Sequence, residues 1–522
     1  MRAPCETTTD AVLPPAESRK STFCPRERRR YVLIAAVLAS ALGFIDGSII
    51  SIAMPAIRAD LGATLTQAQW ISNAYMLMLS ALILAGGALG DRFGLRRSFA
   101  AGIAVFICAS ILCAFAPTAE FLIVARGIQG LGAAVMVPGS LAIIAKAYPK
   151  EERGGAIGIW AASSALTTAL GPVVGGFALS IDDSVWRWIF AVNLPLGGVA
   201  IYLLLFRVPA DPATSARRID VVGALLAIAA LGVFALGLTF LSGEPAMPVP
   251  YVPEMLIGAG LVLIGVFVAW ERRHPEPMMD IALFRERSFS GANIATFFLY
   301  FALSAILFYL PMLMITAWGL AESVAGFVFL PMSALLALLS GPVGKLSDRI
   351  GPRLPMAGGS AVVAVSFAGL ALMSEAGAHA FWLGVFPLMV LLGLGMSLVV
   401  SPLSVAVMTA IDDEDTGAAS GINNAVARIA GLVAVAALGT VVALRYGAVI
   451  EVAGAGGLPE FGEPAGSGLS AEMEAARVLA SDKAFAAAAW ISAACCLIAA
   501  GVAWITAPEK SVGKADSPKG SG

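Results

Sequence analysis

Gly87-Ala88-Leu89-Gly90-Asp91-Arg92-Phe93-Gly94-Leu95-Arg96-Arg97 is a charged, glycine-bounded stretch between two long apolar runs. It returns as Gly344-Lys345-Leu346-Ser347-Asp348-Arg349-Ile350-Gly351-Pro352-Arg353, again between apolar runs. Gly, Leu, Asp, Arg, Gly and Arg fall at matching positions without a gap. One such stretch would read as an ordinary charged turn between helices. Two in register mean a chain built from two related halves. Gly94 and Gly351 permit a tight reversal. Asp91 has cationic neighbours in Arg92, Arg96 and Arg97, and the excess of cations predicts a cytoplasmic loop.

Composition sets the class. Of 522 residues, 59% are hydrophobic and 13% charged, against about 25% charged in an ordinary soluble domain. A soluble protein this apolar would lack a polar surface, so the chain reads as an all-α polytopic membrane protein. A net charge of −2 with no basic domain gives no reason to expect a nucleic-acid partner. Six cysteines and two histidines, His274 and His379, show no metal-ligand spacing, so neither a metal site nor a disulfide framework is expected. The first apolar run, 31–54, is too long for a signal-peptide core and reads as a retained span.

A span needs about 20 apolar residues. That ruler finds fourteen: 31–54, 70–90, 98–116, 121–145, 154–180, 188–206, 221–241, 255–270, 289–314, 326–344, 356–374, 381–408, 418–444 and 486–506. The shortest is 255–270, and twelve or thirteen spans also satisfy the ruler. With the N-terminus inside, the inner loops hold 26 of the 33 basic residues and the outer loops five, which predicts two cytoplasmic termini. The first charged stretch follows span 2 and its copy follows span 10. Two spans are therefore inserted between the halves. The expected parts are a tail (1–30), a six-helix bundle (31–206), a linker with two extra helices (207–288), a second bundle (289–506) and a tail (507–522). A long external loop, 445–485, is expected to be partly helical at 470–479. Both copies face the cytoplasm, so the halves form a parallel repeat about the membrane normal.

Three charged residues remain well inside spans: Asp46, Arg126 and Arg428. Each costs roughly 2.5–3.5 kcal/mol on insertion scales and is a functional candidate for that reason. Asp46 lies in Gly43-Phe44-Ile45-Asp46-Gly47-Ser48, where small neighbours let a helix or a substrate come close. A carboxyl group at that depth loses hydration of its charged form, as a proton carrier requires; the plainer alternative is a structural ion pair. Arg126 lies in Arg126-Gly127-Ile128-Gln129-Gly130-Leu131-Gly132 and can reach the depth of Asp46, with Gln129 as a second polar group. Arg428 follows Asn423 and Asn424 in span 13, and Asn424 shares its helix face. Either that face lines a cavity, with Asn423 and Asn424 as further lining candidates, or Arg428 snorkels to the inner leaflet. Span 5 carries Ser163, Thr167, Gly171 and Gly175 four apart, a small-residue stripe with a bend at Pro172. Trp186 and Trp188 fit an interfacial belt.

These motifs together resemble the major facilitator superfamily, and within it the fourteen-span drug:proton antiporters. The stretch 87–97 is similar to the family's loop between spans 2 and 3, with Gly87, Gly90, Asp91, Arg92, Gly94 and Arg96 at its positions; Leu95 departs from a common basic residue. Gly344, Asp348, Arg349, Gly351 and Arg353 are its second copy. Arg126 to Gly132 is similar to the span-4 motif implicated in proton coupling. Gly171-Pro172-Val173-Val174-Gly175-Gly176 resembles the span-5 motif of antiporters, and Asp46 to Pro55 and Trp186 to Pro195 resemble motifs of the fourteen-span branch. The resemblance covers about residues 30–506.

What the resemblance implies is a major facilitator fold of two six-helix bundles plus two inserted helices. It implies secondary active transport in the cell inner membrane, exporting small amphipathic compounds by alternating access. A proton gradient would replace any cofactor. Partners would be the lipid bilayer, protons and a small-molecule substrate, with a periplasmic adaptor protein a further candidate. The main alternative is a dedicated exporter of one metabolite, siderophore or antibiotic. A flux-free sensor or a membrane enzyme carries less weight, because the sequence shows no large soluble domain, nucleophile–base set or Gly-Lys-Ser/Thr loop.

Overall fold

The computed structural model describes residues 22–211, 219–241, 251–411, 416–454, 457–465 and 469–509. Among the described residues there is no strand. Fourteen helices are long and apolar enough to cross a membrane. They are α1 (Arg26–Leu61), α2 (Leu65–Phe93), α3 (Leu95–Ala114), α4 (Ala119–Ala147), α5 (Glu152–Leu179), α6 (Trp186–Arg207), α7 (Val221–Phe240), α8 (Val252–Glu271), α9 (Arg287–Thr316), α10 (Glu322–Ile350), α11 (Arg353–Glu375), α12 (Phe381–Met408), α13 (Gly417–Val452) and α14 (Ala471–Thr506). The expected short span 255–270 is thus a full-length α8.

Local chemistry sets several starts. Thr64 and Gln67 form a reciprocal capping box on α2, at 3.2 and 3.0 Å. Thr118 caps α4 through the Phe121 N–H, Asp220 caps α7 through the Gly223 N–H, and Ser470 caps α14 through the Met473 N–H. The last of these shortens the expected loop 445–485. The alanine-rich run after Ser470 favours helix throughout, so α14 begins at Ala471 and α13 continues to Val452.

The packing repeats with a shift of eight helices. In the first bundle α2 packs on α4, α3 on α4, α1 on α5 and α3 on α6. In the second, α10 packs on α12, α11 on α12, α9 on α13 and α11 on α14. Between bundles, α2 lies against α13 and α5 against α10, the same pairing seen from either half. The inserted α7 and α8 pack on each other, and α7 lies across the α2–α13 seam. Leu77 of α2 lies 3.2 Å from where a Cβ on Gly232 would stand, and the Thr440 hydroxyl donates to the Leu238 carbonyl at 2.6 Å. The insertion therefore covers one of the two seams and leaves the α5–α10 seam uncovered.

The charged stretches and both described chain ends lie on one face, here the knot face; the opposite side is the far face. The halves meet at the far face. There, Ile49, Ile52 and Ile57 of α1 and Leu65 of α2 share one apolar core with the second bundle. The knot-side part of the first bundle has a separate core around Phe99, Phe106 and Ile143. A Cβ on Gly326 would fall 2.6 Å from the Pro172 carbonyl, so α5 and α10 touch backbone to backbone near the far face. Towards the knot face the same seam parts: Gly154, Gly158 and Gly341 have open space beside them. Gly47, in the middle of α1, is exposed with nothing near it. The α5–α10 seam is open towards the knot face and closed at the far face, while α13 still packs on α2 at Gly421 and Leu84.

Candidate functional site

Asp46 and Arg126 meet in the middle of the first bundle. An Arg126 terminal nitrogen donates to Asp46 Oδ2 at 2.5 Å, and the Gln129 amide donates to Oδ1 at 2.9 Å. Both carboxylate oxygens therefore accept. Arg126 also donates to Gln129 Oε1 and, through Nε, to the Ile71 carbonyl at 2.6 and 3.1 Å. Asp46 is 2% exposed, Arg126 1% and Gln129 fully buried, so the pair is sealed from solvent. Removing one partner from such a pair strands a charge, whereas the intact pair with satisfied donors is tolerated. The Arg126 guanidinium lies 4.5 Å from the Tyr75 ring centroid and 5.8 Å from that of Phe190.

The fold positions these groups through close helix contact. A Cβ on Gly130 would fall 2.4 Å from the Tyr75 carbonyl, so α4 lies directly on α2 and brings Arg126 under Tyr75. On the other side, Ser110 of α3 accepts from Gln129 at 3.0 Å and from Asn193 of α6 at 3.1 Å. Sequence reasoning passed over Ser110, Asn193 and Tyr75, because hydroxyl, amide and phenol groups in apolar spans carry no charge signal. Burial of Asn193 in the Trp186–Pro195 stretch was the one available clue. Trp186 itself corrects the expected belt. It is fully buried and donates to Asp60 at 3.0 Å, while Trp188 is 70% exposed.

The span-5 motif divides between two neighbours. Gly171 and Gly175 face α1: a Cβ on Gly175 would strike the Ile49 side chain, and one on Gly171 would stand 3.4 Å from the Ile45 Cα. Gly176 and Pro172 face α10 of the other half. The stripe is a packing seam and also the far-face closure.

At the knot face, Gly94 has φ 89° and Gly351 φ 83°, left-handed values that glycine adopts freely. They separate α2 from α3 and α10 from α11. The acid that organises the first turn is Asp211, beyond span 6. It accepts from the Leu95 and Arg96 backbone N–H groups at 2.8 and 2.9 Å and pairs with Lys146 at 3.1 Å. Burial pushes the Asp211 carboxyl up, but these donors outweigh burial and hold it below the usual carboxylate range. Arg96 donates to the Val208 carbonyl at 2.9 Å. Asp91 and Arg92 are exposed beside this turn, and Gly87 and Gly90 lie on the last turns of α2. In the second copy, Arg353 pairs with Glu509 and lies 4.3 Å from the Trp504 ring. Gly344, Asp348 and Arg349 occupy the end of α10.

The third intramembrane charge stands apart. Arg428 is half-buried on α13. It is eleven residues past Gly417, roughly 17 Å at 1.5 Å per residue, beyond side-chain reach of the knot face. Asn424 is exposed on the same face. Asn423 turns away: its amide donates to Asn293 and Thr296 of α9 at 3.2 and 2.8 Å, so it holds α13 to α9.

Two repeated helix bundles around a part-open interior with mid-membrane charges define a polytopic transporter. The Major Facilitator Superfamily profile matches residues 36–435, and the chain belongs to that superfamily. It is a transporter by family, and its setting is the lipid bilayer with a small-molecule substrate. The chain is 34% identical over 420 residues to the multidrug resistance protein Stp of Mycobacterium tuberculosis, covering 80% of this chain and 77% of that one. It is 33% identical over 430 residues to the probable actinorhodin transporter of Streptomyces coelicolor, covering 80% and 73%. Among solved structures, a bacterial homologue of the human lysosomal transporter Spinster, in an inward-facing conformation, has a TM-score of 0.65 at 15% identity, covering 93% and 99%. That likeness is one of fold.

Proposed function

We propose that this chain is a proton-coupled exporter of small amphipathic compounds, working by alternating access in the cell membrane with its knot face in the cytoplasm. The observation that carries the reading is the sealed Asp46–Arg126–Gln129 set one residue from the open space at Gly47. With Arg126 and Gln129 both holding Asp46, the geometry fits a state open to the cytoplasm and ready for cargo. When the far face opens, a proton reaches Asp46, weakens its hold on Arg126 and favours return to the cytoplasm-open state. One unit of pH gradient supplies about 1.4 kcal/mol per proton, and 100 mV about 2.3 more. Glycine-backed seams, Gly176 and Gly326, let the far face close without side chains between the halves.

A second reading, export of one dedicated compound, draws on the relative named as a probable actinorhodin transporter. Breadth of substrate separates the two. The test of coupling is proton-driven dye uptake into inverted vesicles, wild type beside Asp46→Asn. Loss of uptake in the variant, with folding intact, is expected. A variant that pumps like wild type removes Asp46 from the coupling role.

A further inference from the structure

We propose that Arg428 is the counter-charge for cargo, and that the exported class is amphipathic organic anions: compounds with a carboxylate or similar planar anionic group on an aromatic body. The proposal rests on the export reading above and names its substrate class.

The argument begins with charge balance. Of the three charges deep in the spans, Asp46 and Arg126 compensate each other at 2.5 Å. That leaves Arg428. No described acid forms an ion pair or hydrogen bond with it. A guanidinium stays charged at any working pH. At mid-membrane depth a cation with no described counter-ion is costly, which marks it as a functional candidate. A burial of Arg428 against another helix would have brought an acceptor to it, as Ile71 does for Arg126.

The surroundings supply the rest of a binding site. Tyr300 lies on α9 between Thr296, which accepts from Asn423, and Ser304, which packs on Gly431, and so stands at the level of Arg428. Gly431, one turn further along α13, packs against Ser304 of α9, where a Cβ would fall 2.9 Å from the hydroxyl oxygen; this fixes α13 against α9 at the level of Arg428. On α9, Phe297 and Phe301 stack with centroids 6.1 Å apart, and both are part-exposed beside Ile294, which is 46% exposed. The site therefore offers one cation with a planar fork of donors, a phenol and an aromatic wall. A carboxylate matches that fork with two parallel hydrogen bonds. A cationic cargo would meet an uncompensated like charge in a low-dielectric interior.

The experiment uses the full-length protein in detergent and two dyes of one scaffold: a fluorescein with a free carboxylate, and its uncharged ester. Binding is read by tryptophan quenching for wild type, Arg428→Gln and Arg428→Lys, with size-exclusion profile and thermal unfolding as folding controls. The expected result is a tenfold or greater loss of acid binding in Arg428→Gln, partial retention in Arg428→Lys, and unchanged ester binding in both. Equal weakening of acid and ester, or no change in either, overturns the proposal. Wild type that binds the ester and not the acid also overturns it while leaving the export reading intact. Wild type that binds neither dye overturns the anion-cargo proposal and leaves the export reading to the Asp46→Asn vesicle test.

Discussion

A Cβ on Gly176 of α5 would fall 2.3 Å from the Glu322 carbonyl oxygen at the start of α10. The obstacle is backbone, so it cannot swing aside as a flexible side chain would. Gly176→Ala is therefore expected to push the far-face ends apart and to disfavour the closed state by about 1–3 kcal/mol. Far-face labelling of a Ser51→Cys probe, buried in the present state, should rise at least tenfold, with transport reduced. Gly158→Ala, facing open space, should change neither reading. Unchanged labelling in Gly176→Ala would show that this contact does not seal the protein.

Arg126→Ala leaves Asp46 buried with only the Gln129 amide for company. Breaking a buried pair from one side costs roughly 3–5 kcal/mol. Thermal unfolding should fall sharply for this variant and much less for Asp46→Asn combined with Arg126→Gln, where no charge is stranded. Transport should be lost in both. A double variant less stable than Arg126→Ala would contradict mutual compensation.

The Asp211 carboxylate lies across the N-terminus of α3, and its acid form binds these donors less well. Because its folded-state acidity is enhanced, its contribution to stability is present above the unfolded value of about 3.9 and is lost as pH falls through the lower folded value. Asp211→Asn should cost about 0.5–2 kcal/mol near neutrality. Unfolding curves of variant and wild type should converge as pH drops below about 4. A constant difference across that range would assign the effect to shape and not to charge.

Arg58 joins the halves at the far face. It donates to the Phe461 carbonyl at 2.5 Å, to Glu460 at 2.8 Å and to Ala63 at 2.9 Å, and it is 2% exposed. Glu460 also accepts from the Leu65 N–H at 2.7 Å, so the 457–465 segment caps α2 of the opposite half. Arg58→Ala should release that segment. Hydrogen exchange of its amides should speed up at least tenfold, with no change at the knot-face turns, and transport should slow. An unaltered exchange pattern would mean that the buried Phe461, the Leu65–Glu460 bond and the Tyr446–Pro459 bond hold the segment without Arg58.

Charge reversal at this site, Arg58→Glu with Glu460→Arg, is expected to restore little. Arg58 serves two carbonyl acceptors besides Glu460, and a carboxylate cannot donate to them. Recovery of wild-type exchange in the double variant would show that the ion pair outweighs those backbone contacts.

The sequence by itself determined what chain-local physics controls. Apolar runs long enough to cross a bilayer, the doubled Gly–Asp–Arg stretch and three charges misplaced for lipid were enough for fourteen spans, two halves, an insertion and three residues to suspect. Glycine at 94 and 351 announced its own backbone geometry. Tertiary structure decided which groups meet. Asp211 reaches the first charged turn from beyond span 6, Ser110 and Asn193 complete the Asp46 network from two other helices, and Glu460 caps a helix nearly four hundred residues away in the chain. Neutral polar groups give no signal in an apolar run, and helix rotation about its axis is set by neighbours and not by its own residues. That rotation turned Asn423 towards α9 and left Arg428, five residues along, without an ion pair or hydrogen bond to any described acid.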